Sequence, residues 1–325
     1  MPAVPAGIQG AIITGWGTAL PDKVLTNDDL RESGLDTNDE WIRERTGIAE
    51  RRVGGSTASL SIESGRAALE MSGVDPTLID ALVLATTTPD RTVPASSATV
   101  QAALGLRCGA FDVNAACSGF TYALVAAHGL IAMGSSRVLV IGTDTLSRIT
   151  DWEDRNTAVL FADGSGAVVL EASPGRGQLL GWDLDADGTA EDLLYAEVGG
   201  KIHMDGKEVF RRAVRIMVDS AEKSMKAAGV TSDDIALVVP HQANARIIKA
   251  ACDRLGIEME RAAVVLHRTG NTSSASIPLA LVDALYAGRI KQGDKVLLVG
   301  FGAGMTAASC VIEWGGGDKD GPVGG

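Results

Sequence analysis

Ala68-Leu69-Glu70-Met71-Ser72-Gly73-Val74, followed by Ile79-Asp80-Ala81-Leu82-Val83, comes back later in the chain as Ser224-Met225-Lys226-Ala227-Ala228-Gly229-Val230 followed by Ile235-Ala236-Leu237-Val238-Val239. Each copy reads as a helix end, a glycine stop and a short apolar strand. Two further pairs keep step: Leu104-Gly105-Leu106 with Leu255-Gly256-Ile257, and Val138-Leu139-Val140-Ile141-Gly142 with Val296-Leu297-Leu298-Val299-Gly300. All three recur about 150 to 160 residues apart, far too long a period for a stacked-repeat solenoid, which implies two similar halves packed on each other.

Between these markers, Ile8 to Gly17 reads as a first strand and Thr26 to Leu30 as a capped short helix. Asn38 to Arg45 reads as another, with Asp39 and Arg43 spaced as a helical ion pair. Ser56 to Ser72 predicts a helix ended by Gly73, Ala81 to Ala85 a buried strand, Ser97 to Leu104 a helix ended by Gly105, and Val138 to Ile141 a strand. Helices alternating with short, wholly apolar strands predict a layered α/β fold. The expected division is 1–174 for one half and 175–314 for the other, with a Gly/Asp/Lys-rich, aperiodic tail over 315–325 expected to be disordered.

The composition, 46% hydrophobic and 22% charged over 325 residues, is that of an ordinary globular protein. Its apolar runs are too short and too interrupted to span a bilayer. Met1 to Gly7 lacks the basic region and apolar core of a secretory signal, so a cytoplasmic location is expected. Cys108, Cys117, Cys252 and Cys310 are widely spaced without a CxxC pair, which predicts reduced thiols and no zinc site. A net charge of −12 argues against nucleic acid as a partner. An acidic partner would need a local basic patch.

Asp112-Val113-Asn114-Ala115-Ala116-Cys117-Ser118-Gly119-Phe120 sets a cysteine between a strand-like run, Gly109 to Val113, and a helix that Thr121 opens and that runs to Met133. Free N–H groups at a helix start favour a thiolate, which predicts a thiol pKa below the usual ~8.5. Small neighbours leave room for a substrate; the other role for such a cysteine is a small core residue. The repeat spacing carries Cys117 to the neighbourhood of Asn271, so two equivalent loops are expected to face one cleft. Pro240-His241-Gln242-Ala243-Asn244 places a histidine just past a strand end, where α/β folds bind ligands, unless it is structural. The loop Arg268 to Ser276 reads either as a turn and helix cap or as a carrier for a positioned amide at Asn271. Gly300-Phe301-Gly302-Ala303-Gly304 is a turn able to aim backbone N–H groups at an oxyanion. The G-x-G-x-x-A string from Gly302 to Ala307 is not read as a nucleotide site, because Thr306 to Trp314 continues as a strand and not a helix.

Together, Ala115-Ala116-Cys117-Ser118-Gly119-Phe120, Pro240-His241-Gln242-Ala243-Asn244, Gly270-Asn271-Thr272-Ser273 and Gly300-Phe301-Gly302-Ala303-Gly304 resemble the β-ketoacyl-[acyl carrier protein] synthase III family over nearly the whole chain. Asp39-Glu40-Trp41-Ile42 and Arg45-Thr46-Gly47-Ile48 are similar to that family's early motif. The resemblance implies a thiolase-like α/β fold, two duplicated halves in a layered α-β-α-β-α arrangement, and a homodimer. It implies decarboxylative Claisen condensation of an acyl-CoA primer with malonyl-acyl carrier protein, starting fatty-acid synthesis, with no metal or redox cofactor and coenzyme A entering only as the substrate thioester.

By the same resemblance Cys117 is the nucleophile, His241 and Asn271 are donors to the malonyl thioester oxygen, and the backbone N–H groups of Cys117 and Ala303 form the oxyanion hole. Coenzyme A would meet Trp41 and Arg155 at the adenine, Arg45 at the phosphates, and Gly206 and Asn244 along the pantetheine arm. Arg211, Arg212, Arg246, Lys249 and Arg254 would dock the acidic carrier protein, if they are not simply solvated helix charges. Val93 stands where acetyl-selective members often carry a large aromatic lining the partner subunit's acyl pocket, so primers longer or more branched than acetyl are expected. Asp183 to Ile202 would shape the entrance. The alternatives with the same fold are a starter-unit synthase or an O/N-acyltransferase of a polyketide or other secondary pathway; a non-catalytic partner subunit would normally lack the nucleophile.

Overall fold

The computed structural model describes residues 9–174 and 177–315. The readings of Met1 to Gly7 as a non-signal segment, of Ile8 as a strand residue, and of a tail beyond Gly315 lie outside the described residues.

The first half runs β1 (Gly10–Ala19), β2 (Val24–Thr26), α1 (Asn27–Glu32), α2 (Asp39–Thr46), β3 (Glu50–Arg52), α3 (Thr57–Ser72), β4 (Ala81–Ala85), α4 (Ser96–Ala103), β5 (Gly109–Val113), α5 (Gly119–Ala132), β6 (Arg137–Thr145), α6 (Arg155–Ala158) and β7 (Asp163–Ser173). The second runs β8 (Leu179–Asp185), β9 (Leu194–Ala196), β10 (Ile202–Met204), α7 (Gly206–Ala228), β11 (Ile235–Pro240), α8 (Ala245–Leu255), α9 (Leu266–Thr269), α10 (Ser276–Tyr286), β12 (Lys295–Gly302) and β13 (Thr306–Glu313). Local chemistry sets the ends. Thr26 caps α1 in a capping box with Asp29, Asn38 caps α2, and Ser56 caps α3. Gly73 and Gly229 close α3 and α7 in the left-handed conformation, at φ of 69° and 70°. The first strand begins and ends two residues later than the sequence reading placed it.

The repeat seen in sequence is a repeat of topology. The first sheet has the order β1-β7-β6-β4-β5, with β4 parallel to β5 and β6, and β7 antiparallel to β6 and β1. The second has the order β11-β12-β13-β8, with β11 parallel to β12 and β13 antiparallel to β12 and β8. Thus β8, β13, β12 and β11 repeat β1, β7, β6 and β4. What answers to β5 is a single parallel bridge between Val238 and Ala262.

Alternating strand residues face different layers, so the strands must be apolar on both faces. Val83 and Val140 of the first sheet and Val239 and Leu298 of the second share one core with Phe120 and Leu124 of α5 and Ile277 and Leu281 of α10, which lie between the sheets. Leu82, Leu139 and Ile141 point the other way, toward Leu69 of α3 and Val100 of α4. Leu297 and Val299 do the same toward Met217 of α7 and Ile247 of α8. The layers are therefore helix, sheet, helix, sheet, helix. Each of the two central helices follows a candidate catalytic loop, α5 the turn at Cys117 and α10 the turn after Asn271.

Candidate active site

β5 leads into Asn114, whose Oδ1 accepts the Ala116 N–H at 3.3 Å. Ala116 takes a φ of 48°, and Ala116–Ser118 forms one tight helical turn that passes into α5. The other half repeats this residue for residue. Asn271 Oδ1 accepts the Ser273 N–H at 3.0 Å, Ser273 takes a φ of 50°, and Ser273–Ala275 turns into α10. Left-handed non-glycine residues cost roughly 1–2 kcal/mol each and persist where surrounding structure holds them. The loops around Cys117 and Asn271 are equivalent, as the repeat spacing predicted, and the detailed counterparts are Cys117 with Ser274 and Asn114 with Asn271. The two turns touch, since Ser274 Oγ donates to the Ala116 carbonyl at 3.1 Å.

Cys117, His241 and Asn271 line one narrow cavity of about 80 Å³, together with Gly206, Asn244 and the apolar side chains of Phe210 and Phe301. Leu194, from the Asp183 to Ile202 segment, and Met204 close its outer side. A wider groove of about 420 Å³ near Leu30 and Trp152 contains none of these residues.

Enclosure of Cys117 pushes its thiol up to about 12; a hydrogen bond with Ser273 pulls it back, the Asp144 carboxylate raises it, and the cysteine's own backbone N–H lowers it. This reverses the lowered value expected from a helix start. The helix opens at Gly119, leaving Cys117 in a single tight turn with few aligned N–H groups, while the narrow cavity desolvates its thiol. Desolvation thus favours the neutral thiol at rest.

His241 is buried, and burial lowers its pKa to about 3, so the ring is neutral. Its Nδ1 is 2.6 Å from Ser276 Oγ, and the edge of Phe301 lies against the ring with centroids 5.4 Å apart. That leaves Nε2 as the nitrogen available to the cavity. Asn271 is clamped through its backbone: its N–H donates to the Leu160 carbonyl and its carbonyl accepts from Ala162 N–H, both at 2.9 Å. With Oδ1 held by Ser273, the amide N–H₂ is the free end. His241 Nε2 and the Asn271 amide N–H₂, both on neutral groups, therefore belong to the same cavity.

The turn after β12 packs directly on the nucleophile. A Cβ on Gly302 would lie 2.6 Å from the Cys117 backbone nitrogen, so only glycine fits. Ala303 follows in the next turn, and the two segments are latched by Thr306 Oγ1 donating to the Ala115 carbonyl at 3.0 Å and Ser118 Oγ donating to the Thr306 carbonyl at 3.2 Å.

Trp41, Arg45 and Arg155 form a separate cluster. The guanidinium carbons of Arg155 and Arg45 lie 4.8 and 5.3 Å from the Trp41 ring centroid. Arg155 also donates to the Asp36 carbonyl at 3.0 Å. Asn244 joins this cluster to the cavity, because its Nδ2 donates to the Arg45 carbonyl at 2.9 Å while its Oδ1 caps α8. Of the five basic residues on α7 and α8, Arg211 and Arg212 share Glu208, which they hold down to about 2, and Lys249 pairs with Asp253 at 2.7 Å. Arg246 lies over Phe210 at 5.4 Å, and Arg254 is exposed. Val93 is 80% exposed and does not line the cavity of its own chain.

Sequence reasoning gave no role to Ser273, Ser276, Phe301 or Asp144. The first three stood inside quoted motifs, but which of several small polar residues meets the thiol or the imidazole depends on the tertiary approach of the two halves. Asp144 had one signal: a carboxylate three residues past the apolar run Val138 to Ile141, toward the strand end where α/β folds bind ligands.

Residues 111–188 match a family model described as 3-oxoacyl-[acyl-carrier-protein (ACP)] synthase III, and residues 225–314 match the model of that family's C-terminal part. A relative from Roseiflexus sp. (strain RS-1), named beta-ketoacyl-[acyl-carrier-protein] synthase III, is 49% identical over 324 residues, covering 94% of this chain and 98% of the relative. The crystal structure of 3-oxoacyl-[acyl-carrier-protein] synthase III from Aquifex aeolicus VF5 superposes with a TM-score of 0.92 at 43% identity, over 94% of this chain and 100% of that one. The priming beta-ketosynthase from the R1128 polyketide biosynthetic pathway superposes with a TM-score of 0.89 at 35% identity, over 94% of this chain and 97% of that one.

Proposed function

This chain belongs to the 3-oxoacyl-[acyl-carrier-protein] synthase III family, and from that premise we propose that Cys117 carries the acyl group while His241 and Asn271 support the condensation. It is an acyltransferase-type condensing enzyme that initiates fatty-acid synthesis, with acyl-CoA and malonyl-acyl carrier protein as substrates.

The Cys117 sulfur attacks the acyl-CoA carbonyl, and the proton it gives up leaves with coenzyme A as the free thiol. The backbone N–H groups of Cys117 and Ala303 hold the intermediate oxyanion; one such donor is worth roughly 3 kcal/mol. Malonyl-carrier protein then enters, with its thioester oxygen accepting from His241 Nε2–H and the Asn271 amide. Loss of carbon dioxide leaves an enolate on that oxygen. Its carbon attacks the acyl-Cys117 carbonyl, the new carbon–carbon bond forms, and the carbon–sulfur bond to Cys117 breaks to release the thiolate, which takes a proton from water to return the thiol. No step calls for a metal or redox group.

The observation that carries this reading is the shared cavity, in which a thiol faces two donors that are both neutral. A protonated histidine would quench the enolate, and an acyl transfer to an alcohol or amine would have no use for the pair. The test is product analysis by mass after mixing the protein with acyl-CoA and malonyl-carrier protein. β-Ketoacyl-carrier protein is expected from the wild type and none from Cys117→Ala; its formation by Cys117→Ala would sink the proposal.

The remaining roles belong to the same proposal. Trp41 and Arg155 take the adenine, Arg45 the phosphates, and Gly206 with Asn244 the pantetheine arm. Arg246 and Arg254, with Arg211, Arg212 and Lys249 turned from their carboxylates, meet the acidic carrier. The two halves divide at 174/175, and the protein works in the cytoplasm. It works as a homodimer, for which β5 offers the means: it is an edge strand of its sheet, and its Phe111 is 41% exposed. Val93, outside its own cavity, then lines the partner's acyl pocket and admits primers larger than acetyl. Light scattering on wild type and Phe111→Glu tests the dimer; a wild-type monomer at working concentration sinks it.

A further inference from the structure

Asp144 is the next-to-last residue of β6, is wholly buried, and takes no part in the chemistry above. Its Oδ1 accepts from the loop that follows β4: Thr86 Oγ1 at 3.1 Å, Thr87 N–H at 2.7 Å, Thr87 Oγ1 at 2.9 Å and Thr88 Oγ1 at 3.1 Å. Its Oδ2 accepts from the other half of the molecule, the Ser274 N–H at 2.9 Å. One carboxylate therefore ties a loop of the first half to the turn that follows Asn271.

That turn touches the loops of both reacting groups. Ser274 is its middle residue, and its Oγ donates to the Ala116 carbonyl beside Cys117; the residue before it, Ser273, holds Asn271 Oδ1 through its N–H. We propose that Asp144 is a positioning residue for the condensation step, fixing through the Ser274 N–H the turn that aims the Asn271 amide at the substrate oxygen. This rests on the assignment of Asn271 as the enolate-side donor.

Only an acceptor-only group can serve both sides. An amide in this place sets its N–H₂ against the Thr87 N–H or against the Ser274 N–H, and loses one contact whichever way it lies. Acyl transfer to Cys117 draws on the backbone N–H groups of Cys117 and Ala303, which Asp144 does not touch, and removing the carboxylate charge that raises the thiol eases that step and does not slow it. The condensation step, which needs the Asn271 amide in place, is the one expected to suffer from its replacement.

The test follows Asp144→Asn by intact mass in two stages, first with acetyl-CoA and isobutyryl-CoA as acyl donors, then in a chase with malonyl-carrier protein. Adduct formation is expected within about threefold of wild type, and the chase is expected to slow roughly 10- to 100-fold, the scale of a lost buried hydrogen bond to a charged group. A parallel fall in both stages, or an unchanged chase, overturns the proposal. Thr87→Val, which keeps the carboxylate and the Thr87 N–H but removes one hydroxyl, carries the test if Asp144→Asn does not fold. It is expected to slow the chase alone by roughly two- to fivefold, and an equal loss in both stages again overturns the proposal. A wild-type adduct that malonyl-carrier protein fails to discharge overturns the reading of the site, and the role of Asp144 falls with it.

Discussion

Ser276 Oγ and His241 Nδ1 are 2.6 Å apart, and this contact joins the first residue of α10 to the strand end of β11. With the ring neutral, a serine hydroxyl that donates to Nδ1 leaves the imidazole proton on Nε2, the nitrogen available to the cavity. That is the tautomer the proposed condensation requires.

Ser276→Ala removes that setting without altering the shape of the cavity. Condensation is expected to slow by about tenfold while acylation of Cys117 keeps its rate, in line with the loss of one hydrogen bond of ordinary strength. Stopped single-turnover measurements of the two stages check it; an acylation defect as large as the condensation defect would contradict it.

Trp41→Ala removes the platform on which Arg155 and Arg45 already rest. Stacking contributes roughly 0.5–2 kcal/mol, so KM for acyl-CoA is expected to rise a few-fold to about thirtyfold with kcat nearly unchanged. Steady-state kinetics at varied acyl-CoA decides this. A fall in kcat at unchanged KM would place Trp41 outside the coenzyme A site.

Because enclosure holds the Cys117 thiol near 12, its alkylation by iodoacetamide should be slow at pH 7 and still be climbing at pH 10, as the thiolate fraction grows with pH. Cys310, also held near 12 and fully buried in β13, should not react at all in the folded protein. Acyl-CoA should protect Cys117 by occupying the cavity that the cysteine lines. Peptide mapping after alkylation at several pH values is the check, and a plateau below pH 8 would contradict the neutral resting thiol.

Much of this was legible before any coordinates. The duplicated helix-glycine-strand pattern around Gly73 and Gly229 reflects strands buried on both faces, which must be apolar without alternation, and that requirement writes itself into the sequence. The cysteine and histidine loops were legible for a related reason, since each follows a strand, where α/β folds gather ligands, and the asparagine loop through the repeat spacing that carries Cys117 to the neighbourhood of Asn271. The thiol pKa was not. It depends on how completely two halves, distant in sequence, close over the sulfur, and on a helix that starts two residues later than the cysteine. Asp144 was likewise hidden, because its donors come from Thr86 to Thr88 and from Ser274, segments that meet only in the folded chain.

Two buried histidines make the fold sensitive to acid. Burial lowers His241 to about 3 and His128, on α5, to about 4. A histidine with a depressed folded-state value binds protons in the unfolded chain first, so its contribution is complete above the unfolded value near 6.5 and is lost as pH falls from there toward the folded one. Stability should decline from about pH 6.5 to pH 4, and His128→Gln should flatten that decline by on the order of 1–3 kcal/mol. Urea unfolding at pH 7, 5.5 and 4 measures it; an unchanged acid slope in the variant would contradict the assignment.

The most direct measurement is intact-mass analysis of wild type, Cys117→Ala and Asn271→Ala, first with acyl-CoA and then with malonyl-carrier protein. The two-stage mechanism predicts a single acyl adduct on the wild type, located at Cys117 and discharged as β-ketoacyl-carrier protein. It predicts no adduct on Cys117→Ala, and on Asn271→Ala an adduct that forms normally but is discharged roughly 100- to 1,000-fold more slowly. An adduct at another residue, or one that survives malonyl-carrier protein on the wild type and is released by a small alcohol or amine, would contradict it.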